Sequence, residues 1–210
     1  MVARGRFLSI EGGEGAGKST QVRRLADELR ARGLDVIVTR EPGGSEGGEA
    51  IRDLLMQGEV KRWSSHTEAL LFAATRADHV EKIIQPALGI GNWVISDRFI
   101  DSSRAYQGVA GGIDDAAVLA LHGFGSRGLL PDRTLVLEVP PEIGAERAAA
   151  RDGAAADRFA ARERAFHDDV AAAFRRFAAT EPDRVRLIDA GGDEDTVAAG
   201  VFDAVADLLP

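Results

Sequence analysis

No cysteine occurs in the 210 residues, which removes disulfides, zinc–thiolate centres, iron–sulfur clusters and thiol nucleophiles from the possible chemistry. No uninterrupted run of about 18 apolar residues exists either, so no segment reads as a bilayer-spanning helix. The stretch Met1 to Ile10 has no apolar core of the kind that marks a secretory signal. Positive charge is in deficit: 26 basic residues face 34 acidic ones, a formal net charge of −8. Phosphate backbones and anionic membrane surfaces reward net positive charge, so this balance argues against a general nucleic-acid or membrane binder. Lysine is rarer still, with Lys18, Lys61 and Lys82 as the only three and arginine supplying the rest. These absences predict a soluble, cytoplasmic protein with no nucleic-acid or membrane partner, in which any phosphate is met by a few locally placed cations.

What is present is 45% hydrophobic residues and 24 glycines, in a length that suits one α/β domain with a well-buried core. Short apolar, β-branched runs at Arg6–Glu11, Leu34–Thr39, Trp93–Ser96, Arg133–Val139 and Val185–Asp189 read as five strands. Helical periodicity occupies Lys18–Arg32, Ala50–Leu55, Ser64–Ile84, Asp114–Phe124, much of residues 142–180 with a break at Asp152-Gly153, and Thr196–Leu209. Strands that alternate with helices and lack hairpin turns imply right-handed crossovers and a parallel sheet covered on both faces. Ligands of such sheets bind beyond the carboxyl ends of the strands, which directs attention to residues 11–19, 40–45, 97–107 and 140–158.

The first of these segments holds the strongest signal. Gly12, Gly13, Glu14, Gly15, Ala16, Gly17, Lys18 and Ser19 fit GxxxxGK[ST], directly after a strand and opening a helix. Glycines let successive amides turn toward phosphate oxygens, the helix dipole adds to them, Lys18 reaches the terminal phosphates and Ser19 can ligate Mg²⁺. Val94–Asp97 is an apolar strand that ends in a carboxylate. Asp97 suits a magnesium ligand of such a loop and suits a helix cap equally well. Arg98 follows it, as a cation for a second phosphate would.

Residues 7–20, FLSIEGGEGAGKST, together with TREPGGS at 39–45, LLFAATRADH at 70–79 and DRFIDSSRAYQG at 97–108, resemble the bacterial thymidylate kinases along nearly the whole chain. The resemblance implies a P-loop nucleoside monophosphate kinase: an α/β fold, a five-stranded parallel sheet in the order 2-3-1-4-5 with helices on both faces, and a small lid. It implies one domain over residues 1–210, with the phosphate loop at 12–19, the acceptor region at about 40–108 and the lid at about 144–162. ATP would lie on residues 12–20, Thr20 included, with Mg²⁺ held through Ser19 and Asp97.

For the acceptor dTMP, the resemblance implies Phe72 stacking on thymine, Arg76 donating to its exocyclic oxygen, and Ser103 and Gln107 at the base edge. It further implies Tyr106 against the deoxyribose, Arg52 and Arg98 on the 5′-phosphate, and Glu41 contacting the acceptor beside a cis peptide to Pro42. From the residues alone, Phe72 and Arg76 share one helical face and Phe72 fits a core position just as well. Glu14 is repulsive toward a triphosphate, and the resemblance turns it toward the acceptor sugar or a metal-bound water. Arg147 and Arg151 lie one helical turn apart and fit a solvated face as well as a lid. The variable loop positions carry no cation, so in this family pattern the lid supplies it, with Arg151 and Arg158 as candidates. Phe99 stands where the family has the Tyr of DRY, Ser45 where it has Thr, and Ala160 where the lid motif DRxE has Glu. The implied activity is ATP-dependent phosphorylation of dTMP to dTDP by a homodimer, with Lys18, Arg98, Arg151, Arg158 and Glu14 in the catalytic set. Three alternatives are a kinase for another nucleoside monophosphate, a P-loop ATPase or binding module without transfer, and a GTPase switch. The last requires an NKxD motif, which the chain lacks, and its one DxxG match, Asp189 to Gly192, follows the last strand.

Overall fold

The computed structural model describes residues 4–140, 142–144, 146–147, 159 and 162–210. Five strands, β1 (Phe7–Gly12), β2 (Val36–Arg40), β3 (Trp93–Asp97), β4 (Arg133–Glu138) and β5 (Val185–Asp189), form one parallel sheet in the order β2-β3-β1-β4-β5. This is the order that the resemblance implies. β1 lies at the centre and is buried along its whole length, as a strand covered on both faces must be.

Alternation along the strands sorts side chains to two faces. Leu8, Ile10, Trp93, Ile95, Leu135 and Leu137 face α1 (Lys18–Ala31) and α8 (Glu194–Asp203), whose Val22, Leu25, Leu29, Val197 and Val201 recur at helical spacing and complete that core. On the other face, Phe7 and Val94 pack with Val80, Ile84, Leu88, Phe99 and Ile100. Tyr106, Val136, Phe159 and Val185 pack with Val170, Phe174 and Phe177 of α7 (Arg164–Thr180).

Three helical segments depart from the sequence pattern. The second helix, α2 (Glu46–Met56), begins four residues before Ala50, because the Ser45 hydroxyl caps it by accepting from the Gly48 amide at 3.1 Å. The long helix does not stop at Ile84: α3 (Ser65–His79) runs through a π-type turn (Val80–Ile84) into α4 (Gln85–Gly89). The Gln85 amide bonds Val80 O, an i→i+5 step, so Pro86 enters the next turn without a broken ladder. After β3, a short α5 (Ile100–Ser103) opens into a second π-type segment (Arg104–Val109), which the periodicity does not disclose, and α6 (Asp115–Ser126) follows. Among the described residues no helix is long and apolar enough to cross a membrane.

Candidate active site

The carboxyl ends of β1, β3 and β2 sit side by side, and the loops that leave them enclose a cavity of about 490 Å³. Its lower wall is the phosphate loop. Gly17 takes a left-handed φ of 85° as the residue that opens α1, with no side chain capping the helix, so the first amides of α1 are left for a ligand. Gly15 is also left-handed, at φ 68°, and a Cβ there would stand 2.0 Å from Gly144 O. A glycine is thus required both by conformation and by the chain that passes over the loop.

Lys18 Nζ curls back over the loop and donates to Gly13 O at 2.7 Å and Gly12 O at 3.2 Å. Burial, and next the positive charge of Arg98, lower the Lys18 ammonium to about 8, against the pull of Asp97, Glu14 and Glu11. Ser19 Oγ donates to Asp97 Oδ2 at 3.0 Å, which brings the two sequence-selected magnesium candidates together across 78 residues. Among the described residues no three His, Cys, Asp or Glu side chains gather as a metal-ligand cluster.

Arg98 occupies the opposite wall. Its φ of 71° is left-handed, a costly backbone for a residue with a Cβ. The turn is held by the Arg98 amide on Ile10 O at 3.0 Å, by Ser96 Oγ donating to Arg98 O at 2.7 Å, and by the Phe99 amide on Glu11 Oε1 at 2.7 Å. The guanidinium is thereby delivered to Glu14 Oε1 at 3.2 Å and Ser102 Oγ at 3.1 Å, with its carbon 5.2 Å from the Tyr106 ring centre. Burial opposes its charge, but the fields of Tyr106, Glu14, Asp97 and Glu11 outweigh it and hold the group above its ordinary value. The loop carboxylate Glu14 therefore faces the cation of the far wall.

The acceptor candidates divide into two groups. Glu41, Arg52, Phe72, Arg98, Tyr106 and Gln107 line the cavity. Arg76 and Ser103 meet each other behind its wall, with Arg76 Nη2 donating to Ser103 Oγ at 2.6 Å. Arg76 Nε donates to Glu41 Oε2 at 2.8 Å, and Glu41 Oε1 is 3.1 Å from His79 Nδ1, whose Nε2 reaches Thr39 Oγ1 at 2.7 Å. The Glu41–Pro42 bond is cis, and Arg52 Nη1 donates to Pro42 O at 2.7 Å. Gln107 Nε2 is buried without a hydrogen-bond partner among the described residues. Arg147 bonds Ala190 O at 3.0 Å and Gly192 O at 3.3 Å. Arg151, Arg158, Asp157 and Ala160 lie outside the described residues.

Sequence reasoning passed over Glu11, Ser102, Met56 and Phe159. Met56, Ser102 and Phe159 line the cavity. Glu11 lies fully buried at the end of β1 and accepts from Ser102 Oγ at 2.5 Å. The available signal was a carboxylate inside an otherwise apolar run that ends on the phosphate loop. Burial, then the charge of Asp101, push the Glu11 carboxyl up to about 8. A pKa raised on folding gives stability that is full below the unfolded value and declines as pH rises toward the folded one. Glutamine reproduces the protonated acid, accepting from the Phe99 amide and donating to Ser102. In thermal melts, Glu11→Gln is therefore expected to gain stability relative to the parent between pH 5 and 8 and to level off above. A difference that stays flat with pH would show that Glu11 folds ionised.

The arrangement sets cations on two sides of one cavity, Lys18 on the loop and Arg98 with Arg52 on the other wall. Residues 10–200 match the family model described as thymidylate kinase. The thymidylate kinase of Rhizorhabdus wittichii is 58% identical over 206 residues, covering 98% of this chain and 99% of the relative. That of Caulobacter vibrioides is 51% identical over 208 residues, covering 99% of each. A crystal structure of thymidylate kinase from Ehrlichia chaffeensis matches with a TM-score of 0.77 at 32% identity, over 97% of this chain and 99% of that one. Likeness in sequence and in fold, each running the full length, agrees with the geometry of the two walls, and the chain belongs to the thymidylate kinase family.

Proposed function

We propose that the chain moves the γ-phosphoryl of ATP to the 5′-phosphate of dTMP, producing ADP and dTDP. The observation that carries this reading is one cavity lined on one side by the phosphate loop with Lys18 and on the other by Arg52, Phe72, Arg98, Tyr106 and Gln107. Donor and acceptor phosphates placed on these walls would face each other, which suits direct transfer. The buried Nε2 of Gln107, without a partner among the described residues, adds support, since a buried donor is costly unless a ligand accepts from it and a pyrimidine carbonyl can.

In the transfer an acceptor phosphate oxygen forms a bond to the γ-phosphorus as the bond to the β–γ bridging oxygen breaks, and ADP leaves with that electron pair. The acceptor is already an oxyanion, so no general base is required. The transition state is loose, and the protein's share is alignment and charge neutralisation. Lys18 and the loop amides hold the donor phosphates, while Arg98 and Arg52 hold the acceptor phosphate. Arg151 and Arg158 belong to this reading on the resemblance, as the lid cations. Ser19 and Asp97 fit a magnesium ion, because their hard oxygen atoms converge at the loop mouth and leave coordination sites for phosphate and water. When bound, that ion neutralises charge on the β- and γ-phosphates. Lid closure excludes water and so protects against ATP hydrolysis.

The test is coupled ADP release across a panel of nucleoside monophosphates. ADP release that depends on dTMP, and that is faster than with purine acceptors, is expected. Release independent of any acceptor would make the chain an ATPase, and a preference for another monophosphate would reassign the base site. The reading includes a cytoplasmic homodimer. Phe124 on α6, at 94% exposure, and Leu70 on α3, at 57%, support the dimer. A sedimenting mass of one chain would remove it.

A further inference from the structure

Glu68 lies on α3, one helical turn before Phe72, and is 2% exposed. A carboxylate buried this deeply requires a compensating cation, and the structure supplies one from far along the chain. Arg162 Nη2 donates to Glu68 Oε1 at 2.7 Å across 94 residues of sequence. The same guanidinium lies over two rings, with its carbon 4.4 Å from the Phe166 centre and 5.3 Å from the Phe159 centre. Its Nε is buried with no hydrogen-bond partner among the described residues, so the ion pair and the ring faces are what orient it.

Phe159 is the residue held by this arrangement. It lines the cavity and meets Phe72 edge to face at 5.7 Å and Tyr106 at 6.4 Å. Tyr106 in turn meets Phe166 at 5.9 Å. The rings form a closed cluster with Arg162 on one side and the cavity on the other. Arg162, over the Phe159 ring and paired with Glu68, adds a charged link from Phe159 to α3.

We propose that the Glu68–Arg162 ion pair is a positioning device for acceptor binding, holding Phe159 against Phe72 and Tyr106 so that the three rings present one preformed wall to the acceptor nucleotide. Neither Glu68 nor Arg162 lines the cavity; both act through Phe159. The proposal rests on the functional reading above and adds to it two residues outside the phosphate and base contacts.

The experiment compares Arg162→Met, Glu68→Gln and the double variant by steady-state kinetics for both substrates and by thermal melting. Arg162→Met keeps an apolar stem but removes the charge that pairs with the buried Glu68, so both stability and wall geometry are lost. It is expected to raise KM for dTMP on the order of tenfold, because misplacing a contact surface by an ångström is costly, with KM for ATP changed less than about twofold. The double variant removes the Glu68 charge together with that of Arg162 and is expected to recover the melting temperature without recovering KM for dTMP. That separation is what a merely structural ion pair would not produce. An unchanged KM for dTMP in Arg162→Met, or its recovery together with stability in the double variant, overturns the proposal. Should Arg162→Met fail to fold, KM for dTMP in the double variant decides alone: a raised value supports the positioning role and a parental value overturns it. A parent protein with no dTMP-dependent ADP release overturns instead the functional reading, and the positioning role with it.

Discussion

Lys18→Met is expected to lower kcat on the order of a thousandfold while leaving the fold intact. Removing a single preorganised donor from a transition-state site costs about 10²–10³ in rate, and Lys18 contributes a full charge as well as a donor. Without ligand its ammonium is bound to the carbonyl oxygens of Gly13 and Gly12, within reach of phosphates seated on the loop. The loss should fall on kcat and kcat/KM together, since the charge it meets grows as the γ-phosphoryl departs. The pH profile gives a second, independent reading. Burial and the nearby Arg98 lower the free-enzyme ammonium to about 8, so the required charged form is full below that value and lost above it. kcat/KM for ATP, which reports the free enzyme, should therefore fall above about pH 8. Bound triphosphate stabilises the charged form, so kcat should hold to higher pH. A variant within tenfold of the parent would remove Lys18 from the catalytic set, and parallel alkaline limbs for kcat and kcat/KM would show that ATP does not restore its charge.

The largest stability effect is expected at Asp101, a residue in no substrate contact. Its carboxylate is fully buried beneath the Arg98 turn and takes bonds from Arg184 at 2.6 and 2.9 Å, Arg104 at 3.0 Å and Thr134 at 2.9 Å. Arg104 continues to Asp115 and Glu181, which ties the π-type segment carrying Tyr106 and Gln107 to α6 and to the chain end of α7. Asp101→Ala leaves two guanidinium groups facing a void, and breaking a buried ion pair costs about 3–5 kcal/mol. Urea unfolding at pH 7 should show a loss of that size, with Asp101→Asn intermediate. Burial alone would raise the Asp101 carboxyl, but the Arg184 bond and charge, with Arg104 and Thr134, hold it below the ordinary carboxylate value. A depressed pKa gives stability that is present above the unfolded value and lost as pH falls through the folded one. The gap between parent and Asp101→Asn should accordingly narrow as pH falls below about 4. A gap that persists in strong acid would mean that the arginines, and not the carboxylate charge, hold this layer.

Both predictions concern groups that sequence reading treats very differently. Lys18 stands out as the one lysine of a glycine loop between a strand and a helix. Asp101 is one unremarked letter in DRFIDSSRAYQG. The five strands, the phosphate loop and the family resemblance were legible because each rests on signals a few residues long: apolar alternation, glycine where φ must be positive, and a contiguous motif. The caps were only partly legible. Gly47 and Gly48 look like a break, yet Ser45 caps a helix that contains both.

The contacts that shape the cavity were of another kind. Glu11 with Phe99 and Ser102, Arg76 with Glu41 and Ser103, and Glu68 with Arg162 each join residues 27 to 94 positions apart. Such pairs exist because the order β2-β3-β1-β4-β5 brings the ends of β1, β2 and β3 together and swings α7 behind the π-type segment. Local pattern specifies which residues can be strand, loop or helix, since backbone sterics and side-chain periodicity act over one or two turns of chain. Which buried charge meets which partner is settled by the packing of distant elements. The desolvation that makes Glu11 protonate, and the arginine partners that keep Asp101 ionised, therefore arise only once the sheet has closed around them.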